Sequence, residues 1–238
     1  MDALLQVRGV SKHFGGFTAL SDVSLEVARG ERFGLIGPNG SGKTTLINCI
    51  SGLLRNESGT IVFQEKEITG LAAYRRTRLG IARSFQVPRP FHSMTVLENL
   101  LVPSAYVVHM KDSEGNEKAM QILRRIGLAD KARAQANQLS QVELRKLELA
   151  RAMAARPQLL ISDEAMAGLS GSEVDEVLKI LFALNAEGIT IIMIEHIMQA
   201  VMRFSQRVIC LDAGKIICEG TPETIVANPE VQRAYLGA

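Results

Sequence analysis

The stretch "FGLIGPNGSGKTTLINCISGLL", residues 33–54, decides the fold. Its first residues form a short apolar strand that runs directly into a glycine-rich loop. The "KTTLINCIS" that follows has helical length and closes on Gly52. Inside it, "GPNGSGKTT" (37–45) satisfies G-x-x-x-x-G-K-[ST] through Gly37, Gly42, Lys43 and Thr44. Glycine permits unusual backbone angles and lets main-chain N–H groups turn inward on an anion. Lys43 adds a point charge for outer phosphates, the Thr44 hydroxyl suits Mg²⁺, and the helix aims its positive end at the same phosphates. A buried strand before the loop and a helix after it are the context that turns this pattern into a phosphate-binding loop.

Outward from that loop, "QLLISDE" (158–164) and "ITIIMIEH" (189–196) read as two further buried strands. Between them Ser172 is expected to cap "EVDEVLKILFALNAEG", in which Val174, Val177, Leu178 and Leu181 share one face and Gly188 marks the end. Buried strands alternating with helices predict a mostly parallel sheet covered on both faces. "LLQVRGVSKHF" and "ALSDVSLEVARGE" read as strands joined by glycine turns, and "GTIVFQEKEITG" as an edge hairpin. The middle of the chain lacks strand signals and carries amphipathic helical patterning such as "EKAMQILRRIGL", which predicts a helical lobe inserted into the sheet. "RVICLDAGKIICEG" reads as a hairpin turning at Ala213-Gly214, with Thr221 and Pro222 as cap and first position of a last helix.

Several acids and one imidazole stand at strand tips. Asp163 can hold Mg²⁺ and Glu164 beside it can polarise a water, although a pair of acids capping a strand is also ordinary. His196 ends the third buried strand, where a lone histidine is more usually structural, and Gln86 in "ARSFQVPRPF" says nothing by itself. Ser140 followed three places on by Glu143 is a capping-box signature that starts a helix in "QLSQVELRKLELARAMA".

Composition excludes some classes. A net charge of +2 is too small to argue for nucleic acid. The longest strongly apolar run, "ITIIMIE", is far shorter than a membrane span, and "MDALLQVRGV" has no secretory-signal pattern. A cytoplasmic protein that serves a membrane only through partners is the expectation. Cys49, Cys210 and Cys218 lack metal-ligand spacing and are expected to be reduced, small buried hydrophobes, although Cys210 and Cys218 flank a hairpin and can approach each other.

The order of these features is more specific than any one of them. Phe14, the phosphate loop, Gln86, "LSQVE", "LLISDE", "AGLS" and His196 follow one another as in the ATP-binding subunit of ABC transporters, which the chain resembles along essentially its whole length. Finer texture ("LELARAMAARPQLLISDE", "IIMIEHIMQAVM" and "VQRAYLGA") is similar to the branched-chain amino acid uptake branch.

The resemblance implies a P-loop NTPase of α/β class, with a mixed, largely parallel sheet core, an N-terminal antiparallel β subdomain and an inserted helical subdomain. It implies one ATP-binding domain over 1–238, with 1–87 and 157–238 as core and 88–156 as the helical subdomain. Carried over by position, Phe14 stacks on adenine, and Asn39, Gly40, Ser41, Gly42, Lys43, Thr44 and Thr45 wrap the phosphates of ATP. Thr44, Gln86 and Asp163 serve Mg²⁺, Glu164 acts as general base with Lys43, and His196 holds the γ-phosphate. Gln86 also touches the permease, residues 168–170 communicate across a dimer, and the helical lobe receives a coupling helix.

The family's Leu-Ser-Gly-Gly-Gln signature here reads Leu139-Ser140-Gln141-Val142-Glu143. In the family this tip closes on ATP held by the opposite subunit, so Ser140, Val142 and Glu143 are the expected contacts in trans. Val142 keeps its N–H. A left-handed backbone there would cost a non-glycine residue about 1–2 kcal/mol, and a place in the first helical turn only a few tenths. Glu143 brings a charge toward an anion unless it turns back on the Ser140 N–H.

The implied function is a Mg·ATP-hydrolysing subunit that energises uptake of branched-chain or related amino acids. It pairs with a second ATP-binding subunit, identical or not, and sits on the cytoplasmic face of the cell membrane through integral permease subunits. An external solute-binding protein is an indirect partner and nucleic acid is none. Two alternatives stay open: a nucleotide-binding, weakly active partner of a heterodimer, and a soluble ABC ATPase without a transporter.

Overall fold

The computed structural model describes residues 2–85 and 87–236. The chain opens with β1 (Ala3–Phe14), β2 (Phe17–Ala28) and β3 (Arg32–Ile36), then α1 (Lys43–Ser51), β4 (Ser58–Phe63), β5 (Lys66–Glu67), α2 (Ala73–Arg78) and β6 (Ile81–Ser84). A helical stretch follows, with α3 (Val96–Tyr106), α4 (Asp112–Ile126) and α5 (Gln141–Ala154). The chain then returns through β7 (Leu159–Asp163), α6 (Gly171–Ala186), β8 (Thr190–Ile194) and α7 (Met198–Phe204). It closes with β9 (Arg207–Asp212), β10 (Lys215–Gly220), α8 (Pro222–Ala227) and α9 (Pro229–Leu236).

The six-stranded sheet has the order β10-β9-β3-β8-β7-β6, in which only β10 runs antiparallel to its neighbour. All five residues of β7 and of β8 are buried, which is why these strands read as unbroken apolar runs rather than as alternation. Period two still sorts their faces. Leu159, Ile161, Ile192 and Ile194 point into one core with α1 and the smaller sheet, while Leu160, Ile191 and Met193 point into another with α6 and α7. The smaller sheet, β2-β1-β4-β5, is wholly antiparallel. Helices α3, α4 and α5 enclose a third core of their own, around Val96, Leu100, Leu123 and Leu147.

Register aligns the strand tips. Leu35 pairs with Ile194, and Ile194 with Asp163, so the chain segments leaving β3, β7 and β8 emerge side by side at the carboxyl edge of the sheet. In open α/β sheets that edge is where ligands bind.

Two local expectations change. Helix α6 is capped by Ser170 in a capping box with Glu173, not by Ser172, because Ser170 lies three residues before the Glu that returns to its N–H. Thr221 and Pro222 do start a helix, α8, but α9 follows it. The three cysteines are free, with Cys49 and Cys210 buried, although register sets Cys218 opposite Cys210.

Candidate active site

The loop after β3 is curled by contacts that only glycine allows. A Cβ on Gly37 would lie 2.1 Å from the Leu211 carbonyl oxygen, and one on Gly42 (φ +106) 2.5 Å from that of Ala19. Pinched between β2 and β9, the loop enters α1 through Gly42, which supplies no side-chain cap. The first-turn N–H groups are therefore left for a ligand. Lys43 folds back over the loop and donates to the carbonyls of Gly37 (2.7 Å) and Pro38 (3.0 Å). Burial lowers its pKa, opposed by the charges of Glu164, Cys210 and Asp163. From α9, the Tyr235 hydroxyl accepts the Gly37 N–H at 2.8 Å, and burial pushes that phenol up to about 12.

Asp163 and Glu164 behave differently despite being neighbours. Asp163 is buried at the end of β7 and accepts on Oδ2 from Arg83, with Nη2 at 2.5 Å and Nε at 3.2 Å. Arg83, on adjacent β6, also donates to Asn48 Oδ1 on α1 at 2.7 Å and lies 5.1 Å from the Phe85 ring. Glu164 turns out of the strand with φ +47, and its N–H reaches the Ile194 carbonyl at 2.9 Å. A left-handed non-glycine residue costs on the order of 1–3 kcal/mol and clusters at functional sites. Its carboxylate Oε1 meets His196 Nε2 at 2.8 Å.

Phe14, Asn39 through Thr45, Glu164 and His196 line one cleft of about 240 Å³, together with Phe17 and Ala19. Phe17 pairs with Phe14 across the β1–β2 turn and is 61% exposed, so the aromatic wall of the cleft is double. The sequence reading singled out Phe14 alone, although "HFGGF" holds both rings astride a glycine turn. It also missed Arg83 and Glu195. Each is a charge inside an otherwise apolar strand segment, and a buried charge demands a partner.

The Thr44 hydroxyl and the Asp163 carboxylate are hard oxygen donors suited to Mg²⁺. Among the described residues only Oδ2 of Asp163 is engaged by hydrogen bonds, and no cluster of three or more His, Cys, Asp or Glu could hold a metal. That is the donor set of an ion that takes its other ligands from phosphates and water.

Ser140, Val142 and Glu143 do not line this cleft; they form the start of α5. The capping box is complete: Ser140 N–H donates to Glu143 at 2.9 Å, and Glu143 N–H to Ser140 Oγ at 3.4 Å. Glu143 also takes Lys131 at 2.5 Å, and this contact foremost lowers its pKa. Val142 is the second residue of the helix and does not have positive φ. Gln86 lies outside the described residues. Its neighbour Phe85 lines a second hollow of about 380 Å³, between the α/β core and the helical lobe, with Phe91, Val102, Tyr106 and Arg151.

A phosphate loop at the tip of β3, an acidic pair at the tip of β7, a histidine after β8 and an inserted helical lobe define an ATP-binding cassette. The family profile described as "ABC transporter" matches residues 20–167, and one described as "Branched-chain amino acid ATP-binding cassette transporter" matches 215–238. The chain is 40% identical to the high-affinity branched-chain amino acid transport ATP-binding protein LivG of Salmonella typhimurium, covering 98% of each. It is 36% identical to BraF of Pseudomonas aeruginosa, a protein of the same description, again over 98% of each. An ATP-binding cassette of an ABC transporter solved in its ADP conformation superposes with a TM-score of 0.92 at 33% identity over 100% of both chains. A dimeric cassette in a post-hydrolysis state with ADP and Pi gives 0.83 at 26%, over 92% of this chain and 98% of that one. The chain belongs to the ABC transporter family, as an ATP-hydrolysing subunit. No described helix is long and apolar enough to cross a membrane.

Proposed function

We propose that this chain binds and hydrolyses ATP to energise uptake of branched-chain or related amino acids, working against a second ATP-binding subunit and docked on integral permease subunits at the cytoplasmic face. The observation that carries the reading is the single cleft that joins the aromatic pair, the phosphate loop, Glu164 and His196. Phe14 and Phe17 offer stacking faces for adenine. Residues 39–45 cradle the phosphates, and Lys43 exchanges the Gly37 and Pro38 carbonyls for phosphate oxygens. Glu164 accepts the proton of the attacking water, and His196, which already shares Oε1 of Glu164, donates to the γ-phosphate. Thr44, Asp163 and Gln86 would hold Mg²⁺, which neutralises charge on the phosphate oxygens when bound.

The tip of α5 reaches the partner's ATP through Ser140 Oγ and the N–H of Val142, and residues 168–170 pass the state of one site to the other. The hollow beside Phe85 and Phe91 is suited to a short helix from the permease. Purification from native membranes tests this: the chain is expected with integral membrane subunits, and its ATPase is expected to vanish in Glu164→Gln. Recovery free of any membrane subunit overturns the transporter reading.

One observation favours a second reading, a weakly active partner in a heterodimer. The α5 tip holds its own donors in a capping box and presents a Val side chain where the family has glycine. Isolation with a different ATP-binding subunit, and ATPase of that pair unaffected by Glu164→Gln in this chain, would establish it.

A further inference from the structure

A buried polar knot joins the elements around the cleft without lining it. Glu195 (1% exposed) and Arg145 (7%) sit beside the apolar core that holds Leu149, Met166 and Met193. Glu195 Oε1 accepts the Met166 N–H at 3.0 Å, and Arg145 Nη2 donates to the Ala167 carbonyl at 3.3 Å. Two neighbouring residues of the loop after β7 are thus gripped, one at its N–H by an acid and the other at its C=O by a base. Among the described residues Nε and Nη1 of Arg145 are buried without hydrogen-bond partners, and Glu195 is its foremost electrostatic partner. Burial lifts Glu195 to about 7 and lowers Arg145. Such a pair is costly to bury, and apolar side chains of similar volume pack as well or better.

Its connections supply the reason for keeping it. Glu195 immediately precedes His196, and Met166 lies two residues after Glu164, so the knot is tied to both members of the 2.8 Å His196–Glu164 contact. Glu164, at φ +47, is the bend from which the loop departs. Arg145 stands in α5, whose first turn carries Ser140 and Val142, and Gln141 of that turn packs 3.2 Å from where a Gly168 Cβ would stand. Any shift of α5 therefore pulls on the loop that orients Glu164.

We propose that Glu195 and Arg145 are positioning residues that clamp the loop at Met166 and Ala167, hold Glu164 against His196, and couple its placement to the tilt of α5. The proposal rests on the reading of Glu164 as general base. A misplacement of about 1 Å can cost about 100-fold in rate while leaving substrate binding intact.

The test uses the full chain, with steady-state ATPase, fluorescent-nucleotide binding and amide hydrogen exchange at Met166. Glu195→Ala is expected to lower kcat by about 10-fold or more with KM within about 2-fold, and to deprotect the Met166 amide. Glu195→Gln keeps an acceptor oxygen and is expected to retain both kcat and protection. Arg145→Met is expected to behave as Glu195→Ala, and carries the test if the latter does not fold. With Glu164→Gln inactive, an unchanged kcat in Glu195→Ala and Arg145→Met overturns the clamp alone. A Gln variant as impaired as Ala, or KM moving in step with kcat, also overturns it. Activity surviving in Glu164→Gln removes the parent reading and the clamp together.

Discussion

Two helix starts in this molecule face opposite ways chemically. Helix α1 begins at a left-handed glycine with no side-chain cap, so its first N–H groups have no side chain to satisfy them. Helix α5 begins with Ser140 and Glu143 closed on each other, which uses the N–H groups of both, and with Lys131 donating to the Glu143 carboxylate. Unsatisfied donors at a helix N-terminus make an anion site, whereas satisfied ones make a stable helix. The contrast teaches that the α1 start is open to a phosphate whereas the α5 start is partly closed by its own cap.

The largest effect belongs to the open side. Glu164→Gln keeps the His196 contact but removes the base, and steady-state ATPase should fall by about 10²–10⁴-fold with nucleotide binding preserved. Gly42→Ala attacks the loop itself. At φ +106, with a carbonyl 2.5 Å from the new Cβ, the change is expected to cost on the order of 3 kcal/mol and to abolish tight nucleotide binding. Chemical unfolding and fluorescent-nucleotide titration read the two consequences separately. A Gly42→Ala protein of normal stability and affinity would erase the contrast with α5.

On the partly closed side, Val142→Gly should raise turnover of the assembled complex. Because Val142 already has a helical backbone, no left-handed strain is released; what is removed is the isopropyl group that the proposed closure would have to accommodate. A gain of about 3- to 10-fold is expected, partly offset by the helix cost of glycine near 1 kcal/mol. Unchanged or lower turnover would mean the tip is not limiting.

Much of this contrast was legible in the sequence. The phosphate loop was readable because its glycines, lysine and threonine are fixed by local chemistry between a buried strand and a helix. The Ser140–Glu143 box was readable because capping acts over three residues. Arg83, Glu195 and Arg145 were not read because their partners are distant in sequence: the sheet order β8-β7-β6 brings the first two to theirs, and the packing of α5 on the loop after β7 brings Arg145 to Ala167. The cap of α6 slipped by two residues because Ser170 and Ser172 both precede the helical pattern, and the return hydrogen bond from Glu173 selects between them. Phe17 was missed for a different reason, since alone it reads as an exposed turn aromatic and gains meaning only opposite Phe14.

The smallest expected effect tests how firmly α5 is closed on itself. The Glu143 carboxyl is held below its ordinary value of 4.5, first by Lys131 and then by the Ser140 groups. A lowered acid contributes stability above the unfolded value and loses it as pH falls through the folded one. Glu143→Gln should therefore cost about 0.5–1 kcal/mol at neutral pH and less at acid pH, as the wild-type carboxyl itself becomes protonated on passing below its lowered pKa. Urea unfolding at the two pH values measures this. The same variant withdraws a negative charge from the tip that the proposed function sets against ATP in trans, so on that proposal its turnover should rise while its stability falls. A variant that loses stability at neutral pH without gaining turnover would show that the capping box already hides the Glu143 charge, leaving the Val142 side chain as the obstacle to closure.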